Sequence, residues 1–276
     1  MAKRQKKVAL VTGASSGMGK AIAQKLLKDG LTVVAAARRV EQMADLRKLG
    51  ADVIAMDVSN EESLSSGISH INATHGGVDV LVNNAGFGLY GALEDIPMDD
   101  ARYQLEVNVF GGARLAQLVL PHMREKQAGK IIFITSMGGK IYTPMGAWYH
   151  ASKHALEGLA DCLRLELSPF KIDVVVVEPG IIQTEFGNVV GGPMMKYSGD
   201  GVYAPMARNV AKATSDSYGN GKASPASLIA KVVSRAVKSR RPKTRYVAGQ
   251  LARPLLFIRK WFGDRVFDRA VLSAAK

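Results

Sequence analysis

Ser136, Tyr149 and Lys153 are the residues whose types and spacing could do chemistry. In the run Tyr149-His150-Ala151-Ser152-Lys153 a phenol and an ammonium stand four residues apart, which on a helix places them on one face. A phenol has a pKa of roughly 10 and exchanges protons poorly at neutral pH; a fixed cation beside it would favour the phenolate and make Tyr149 a usable acid or base. Ser136 follows the apolar run Ile131-Ile132-Phe133-Ile134, which reads as a buried parallel strand. Its hydroxyl then stands at a strand's carboxyl end, where open α/β sheets bind ligands. Alone, the Tyr-x-x-x-Lys spacing is also that of many solvated helix faces, so the elements around it must decide.

The first such element is a strand, glycine turn and helix near the N-terminus. Val8-Ala9-Leu10-Val11 leads into Thr12-Gly13-Ala14-Ser15-Ser16-Gly17-Met18-Gly19 and then into a helical pattern, Ile22, Leu26 and Leu27, ending at Gly30. Residues without a Cβ let backbone amides approach a phosphate, and a helix N-terminus adds partial positive charge. The second strand, residues 32–37, ends in Arg38 and Arg39. This is the place where a doubly wound fold meets the adenosine ribose, and where an acidic residue would accept from the 2′-hydroxyl of NAD. Two guanidinium groups instead match a 2′-phosphate in charge and geometry. The sequence therefore favours NADP over NAD, with Arg38 the better candidate for contact.

Later strands obey the same rule of polar or small residues at the carboxyl end. Residues 53–56 precede Asp57-Val58, residues 80–82 precede Asn83-Asn84-Ala85-Gly86, and residues 174–177 precede Glu178-Pro179-Gly180-Ile181-Ile182-Gln183-Thr184. A long helix from about 101 to 126 carries Asn108 between Val107 and Val109. Asparagine is locally unfavourable there, and the residue is either a satisfied buried amide or the mark of a functional distortion. Residues 185–222, rich in Gly, Met and Tyr, show weak periodicity and read as an irregular lid segment. Helical signals resume at 224–238, and residues 244–248 read as a final strand.

Strands alternating with helices over 8–248 imply a single α/β domain, a doubly wound parallel sheet of Rossmann type, with a basic tail at 1–7 and a basic amphipathic extension at 249–276. The 276 residues and 47% hydrophobic content suffice for one such core. Cys162, the one cysteine, excludes an intrachain disulfide and a cysteine-cluster metal site and reads as packed within a helix. His150 and His154 have a zinc-compatible spacing, but no Glu stands in the metalloprotease position and no third ligand is evident, so no metal is expected. The net charge of +13 is concentrated at the ends. Residues 231–276 hold thirteen Lys or Arg against two Asp, and residues 1–7 hold four against none, which leaves about −2 for the rest. A basic tail without a reading motif is a poor nucleic-acid signal. No run of eighteen apolar residues or signal-peptide pattern is present, and a cytoplasmic location is expected.

Together, Thr12-Gly13-x-x-x-Gly17-x-Gly19, Asp57, Asn83-Asn84-Ala85-Gly86, Asn108, Ser136, Tyr149-x-x-x-Lys153 and Pro179-Gly180 resemble the short-chain dehydrogenase/reductase family, in its single-domain branch. The resemblance covers about residues 7–248. It implies hydride transfer between a nicotinamide and an alcohol or carbonyl carbon, with Tyr149 as the acid or base and Ser136 holding the substrate oxygen. Lys153 would bind the nicotinamide ribose and lower the Tyr149 pKa, and Asn108 would hold a water in a proton relay. By the same resemblance Ser15, Ser16 and Met18, the last a mild change from the usual Ile or Leu, line the pyrophosphate turn. Asp57 and Val58 line the adenine, Asn84 the adenosine side and Ile182 with Thr184 the nicotinamide carboxamide, and Ala85, Gly86, Pro179 and Gly180 also bind the cofactor. A homo-oligomer is implied likewise.

Substrate is left to the apolar candidates Phe87, Leu89, Tyr90, Met145, Trp148, Phe186, Met194, Met195, Tyr203 and Met206, which suggest a hydrophobic pocket. A looser resemblance of Lys243-Thr244-Arg245-Tyr246 and the tail to retinol and 17β-hydroxysteroid dehydrogenases points the same way, to a lipophilic carbonyl or alcohol. The competing readings are an NAD-dependent alcohol dehydrogenase of a small polar substrate and a dinucleotide-binding regulator without turnover; intact Ser136, Tyr149 and Lys153 argue against the latter. The apolar and basic tail could lie on an anionic membrane surface, cover the substrate entrance or meet a neighbouring subunit.

Overall fold

Seven apolar runs, Asp52–Ala55, Thr32–Ala37, Val8–Thr12, Val80–Asn83, Gly129–Ile134, Ile172–Pro179 and Arg245–Ala248, pair in parallel in that order across one sheet. The computed structural model describes residues 6–219, 221 and 223–274, and residues 1–5 of the expected basic tail lie outside them. The strands are β1 Val8–Thr12, β2 Thr32–Ala37, β3 Asp52–Ala55, β4 Val80–Asn83, β5 Gly129–Ile134, β6 Ile172–Pro179 and β9 Arg245–Ala248, with a small separate pair, β7 Ile182–Gln183 and β8 Ser224–Pro225. The helices between them are α1 Gly17–Lys28, α2 Ala44–Lys48, α3 Glu61–His75, α4 Met98–Leu105, α5 Gly111–Glu125, α6 Ala147–Leu167, α7 Phe186–Ser198, α8 Ala204–Tyr218, α9 Ala226–Lys238 and α10 Ala252–Ala274. This is the doubly wound sheet that the alternation of elements predicts.

Each central strand is apolar on both sides because each side is covered. In β1, Ala9 and Val11 pack into a cluster with Ile22 and Leu26 of α1 and Ile229 and Val233 of α9. Val8 and Leu10 face the opposite cluster, with Leu64 and Ile68 of α3, Leu115 of α5 and Leu156 of α6. Alternate side chains of β5 and β6 divide between the same two clusters, as the two-residue period of a strand requires. The strand order reverses between β1 and its two neighbours, β2 and β4. A crevice opens at that point, over the carboxyl ends of the strands.

Three expectations are corrected. The 185–222 segment is largely helical: Val190 and Met194 of α7 and Ala207 and Val210 of α8 share one buried cluster. Gly191, Gly192 and Pro193 mask the helical period in the sequence, and tertiary packing overrides their low propensity. The long helix is not continuous α-helix, because Glu106–Phe110 forms a π-helical turn between α4 and α5 with Asn108 buried at its centre. Cys162 lies on α6 but is exposed. Among the described residues no helix is long and apolar enough to cross a membrane.

Candidate active site

The turn after β1 is built on close backbone approach. A Cβ at Gly19 would lie 2.2 Å from the Gly13 carbonyl oxygen and 2.6 Å from Asn84 Nδ2, and Gly13 itself has φ +65°, so larger residues are excluded. Thr12 Oγ1 accepts from the backbone N–H groups of Asn84 and Ala85 at 3.0 Å each, while Asn84 Nδ2 donates to the Thr12 carbonyl at 2.9 Å. These bonds lock the ends of β1 and β4 at the crevice. Ser16, at the N-cap of α1, makes no capping bond. The first amides of the helix are left for an anion. Asn84 Oδ1 is buried without a partner among the described residues, an acceptor that a sugar hydroxyl would satisfy. Arg39 Nη2 reaches Ser15 Oγ at 3.5 Å, and Arg38 Nη1 donates to the Tyr103 hydroxyl at 3.0 Å. This end of the crevice fits the pyrophosphate and adenosine end of a dinucleotide.

At the other end, β5 delivers Ser136 and the start of α6 delivers Tyr149 and Lys153. Ser136 Oγ accepts from the Gly138 N–H at 2.9 Å, and Lys153 Nζ donates to the Ile134 carbonyl at 3.2 Å. The Tyr149 ring packs against Tyr90, with centroids 5.5 Å apart, and against Phe186 at 5.4 Å. This enclosure sets the electrostatics. Burial pushes the Tyr149 phenol up to about 12, against an opposing hydrogen bond with Ser136. Burial pulls Lys153 down to about 8, against the attraction of Glu157. The net direction at Tyr149 is up and not down, because desolvation disfavours the charged form of the phenol, as it does that of the Lys153 ammonium.

Asn108 braces the site from behind. Its Oδ1 accepts from the Phe87 N–H at 3.0 Å, and its Nδ2 donates to the Phe87 carbonyl at 2.9 Å and to Ser152 Oγ at 3.0 Å. The amide is thus both satisfied and the centre of a helix distortion. The two readings of this residue were not exclusive.

A buried ionic cluster lies beneath the three residues. Glu157, one turn beyond Lys153, accepts from Thr135 Oγ1 at 2.6 Å and from Arg245 Nη2 at 3.0 Å, and Lys140 Nζ lies 3.3 Å from it. Arg245 Nε also reaches Glu178 at 3.1 Å. Burial, then the neighbouring Glu157, push the Glu178 carboxyl up, while Arg245 and Lys140 oppose this. The cluster joins β5, β6, β9 and α6 beside Ser136 and Pro179. Glu157 and Glu178 are buried and Arg245 half-buried, so losing Arg245 would leave two buried carboxylates short of their cation.

One cleft of about 670 Å³ gathers most of the predicted positions. Gly13, Ser15, Ser16, Gly17, Met18, Gly19, Arg38, Arg39, Asp57, Val58, Asn84, Ala85, Gly86, Ser136, Tyr149, Lys153, Pro179, Gly180, Ile182 and Thr184 all line it. Asn108 lies behind the wall, in a small adjoining cavity. Of the apolar candidates, Phe87, Tyr90 and Phe186 line the cleft. Met145, Met194 and Tyr203 support it from within a packed cluster, Leu89 and Trp148 belong to another, and Met195 and Met206 are exposed. Sequence reasoning missed Tyr103 and Tyr218, whose lone aromatic positions carry no periodic signal, and Thr143 and His150, which hold the cleft's rim.

The family model described as short chain dehydrogenase matches residues 7–191. The chain belongs to the short-chain dehydrogenase/reductase family. It is 40% identical over 183 residues to a 3-ketodihydrosphingosine reductase from Bacteroides thetaiotaomicron, a match covering 66% of this chain and 66% of that protein. It is 33% identical over 272 residues to an NADPH-dependent 3-dehydrocapnine reductase from Ornithobacterium rhinotracheale, covering 95% of this chain and 94% of that protein. The crystal structure of a short-chain dehydrogenase from Streptomyces avermitilis superimposes with a TM-score of 0.84 at 34% identity, covering 98% of this chain and 96% of that one. Membership of the family makes the protein an oxidoreductase that binds a nicotinamide dinucleotide.

His150 fixes the rim in one protonation state. The Thr143 N–H donates to Nε2 at 3.1 Å, so Nδ1 carries the proton and donates to the Gly138 carbonyl at 2.9 Å. Burial holds this imidazole down at about 4, against the Gly138 hydrogen bond, from an ordinary 6.5. Between those values the unfolded chain binds the extra proton and the folded one does not, so stability should fall as pH drops through that window, by about 3 kcal/mol at most. Urea unfolding at about pH 7 and about pH 5 should show a larger loss for the wild type than for His150→Gln; equal losses would contradict this assignment.

Proposed function

We propose that the protein is an NADP-dependent reductase of a lipophilic ketone or aldehyde, able to run the reverse oxidation of the corresponding alcohol. The observation that carries this reading is the convergence of Ser136, Tyr149 and Lys153 at the apolar end of the cleft whose other end carries the glycine turn and the two arginines. When bound there, the dinucleotide supplies hydride to the carbonyl carbon. Tyr149, holding its proton at neutral pH, donates it to the carbonyl oxygen, and Ser136 hydrogen-bonds the same oxygen as negative charge develops on it. Lys153, cationic below about 8, stabilises that charge from the next turn and would hold the ribose hydroxyls. Asn108 has its side chain committed to Phe87 and Ser152. A proton relay toward Lys153 would therefore use the backbone carbonyls that a π-turn releases from the helix ladder.

The walls support a lipophilic substrate. Tyr90 and Phe186 pack on the Tyr149 ring, Phe87, Ile141 and Tyr218 line the same cleft, and burial pushes the Tyr90 and Tyr218 phenols up as well. A relative named for 3-ketodihydrosphingosine supports a keto group on a long-chain molecule. The arginines at the end of β2 support NADP, as does the relative named as NADPH-dependent.

The acid is tested by Tyr149→Phe, assayed by NADPH absorbance on any ketone the wild type accepts. The expected loss in kcat is about 10²-fold or more, with NADPH affinity retained; full turnover would overturn the assignment. The cofactor is tested separately. Arg38→Ala should weaken NADPH binding by about tenfold, roughly the worth of one charge-assisted contact, and leave NADH almost unchanged. Equal losses for the two would exclude a 2′-phosphate contact at Arg38.

A further inference from the structure

The extension α10 is two helices in orientation. Gly263, with φ 70° and ψ −177°, breaks it in a backbone region that only glycine adopts readily. Its second half is anchored to the catalytic domain. Phe267 is fully buried and meets the Tyr142 ring edge-on at 5.2 Å, while the Tyr142 hydroxyl donates to Asp268 at 2.8 Å. Arg259 lies over the same ring, 5.3 Å from its centroid, and pairs with Asp264 across the break. Tyr142 stands between Ile141 and Thr143, both of which line the cleft. The extension is therefore fastened to the substrate rim.

Its first half touches the domain through Arg259 and Ala252 but presents aromatic side chains to solvent. Phe257, Trp261 and Phe262 are 57%, 66% and 56% exposed. They are one cluster, with the Phe257 ring 6.4 Å from Trp261 and 6.1 Å from Phe262. Packing on the domain does not account for them, since the residues that pack lie elsewhere on the helix. Arg253, Lys260, Arg265 and Arg269 of the same extension are exposed cations, and Lys260 Nζ lies 5.1 Å over the Trp261 ring. Residues 231–276 carry thirteen Lys or Arg against two Asp, while residues 8–230 are close to neutral. The positive charge of the chain and its most exposed aromatic group thus share one region.

We propose that this ridge is a membrane-docking surface, in which Phe257, Trp261 and Phe262 enter the headgroup region of an anionic bilayer and the exposed Lys and Arg of the extension pair with its phosphates. Large amphipathic rings prefer that depth, and basic residues are drawn to the phosphates of an anionic leaflet. Complementarity of charge selects this occupant over a second copy of the chain. A twofold contact through the ridge would set the same cations face to face, whereas an anionic surface neutralises them. Among the described residues no helix is long and apolar enough to cross a membrane, and the contact proposed is a peripheral one. Because the ridge is tied through Tyr142 to the cleft's rim, docking would bring the cleft close to the lipid surface. The binding itself stands apart from the proposed reaction.

The test is co-sedimentation of the full chain with phosphatidylcholine vesicles with and without phosphatidylglycerol, at low and high salt, with Trp261 emission read in parallel. Expected are pelleting that requires phosphatidylglycerol and weakens in salt, and a blue-shifted emission that Trp261→Phe removes. Phe257→Ser/Trp261→Ser, which keeps every charge, should reduce pelleting at least about tenfold while leaving turnover of a water-soluble ketone intact. Lys260→Gln/Arg265→Gln should reduce it separately. Equal pelleting by neutral vesicles, retention by a single-stranded oligonucleotide in place of vesicles, or self-association lost in Phe257→Ser/Trp261→Ser without vesicle binding would each overturn the proposal. Failure of turnover with intact vesicle binding would count against the reaction and not against the surface.

Discussion

Desolvation at the carboxyl ends of β5 and β6 is the constraint on which the site depends. Two apolar clusters fill the space on either side of the sheet, and a third, containing Tyr149 itself, closes the lid side with α7 and α8. A phenol and an ammonium placed in that setting both shift toward their neutral forms. Tyr149 is thereby kept loaded with its proton, and Lys153, pulled down to about 8, is still a cation at neutral pH. Any negative charge that develops on an oxygen between them is poorly screened and strongly felt. The same enclosure accounts for the neutral His150 at the rim, whose two ring bonds hold the loop from Gly138 to Thr143.

Enclosure alone would leave these groups loosely placed. Glu157 and Arg245 supply the registration: one carboxylate and one guanidinium tie α6 to the ends of three parallel strands. Arg245 comes from β9, the last strand added to the sheet. The site is therefore complete only when the sheet is complete. On the far side, Asn108 does the equivalent work with neutral hydrogen bonds, holding the loop after β4 to α6 through Phe87 and Ser152. Lys153, one residue beyond Ser152, is positioned from both directions.

Much of this was legible from residue types. The strands announce themselves because both faces are covered, so their apolar runs are unbroken. The glycine turn is legible because close backbone contact admits no other residue. The helices α7 and α8 were hidden, since three consecutive helix-weakening residues at 191–193 interrupt a period that packing nevertheless enforces. The Glu157–Arg245 contact could not be read at all: it joins residues 88 apart, and a charge in a sequence does not state its partner. The Tyr149 pKa was misread for a related reason. Its neighbour in sequence argued for lowering, and the burial that raises it is a property of the assembled walls. Cys162, apolar by type, proved to stand on the exposed face of α6.

The central claim is that burial keeps Tyr149 in the proton-bearing form from which it can act as an acid. Direct titration of its phenol carbon by NMR, in protein carrying ¹³C-labelled tyrosine and assigned with Tyr149→Phe, measures this without any substrate. The account predicts that Tyr149 remains protonated at pH 10, the ordinary midpoint of a tyrosine, because its own lies near 12. A phenol already half-ionised at pH 10 or below would contradict it.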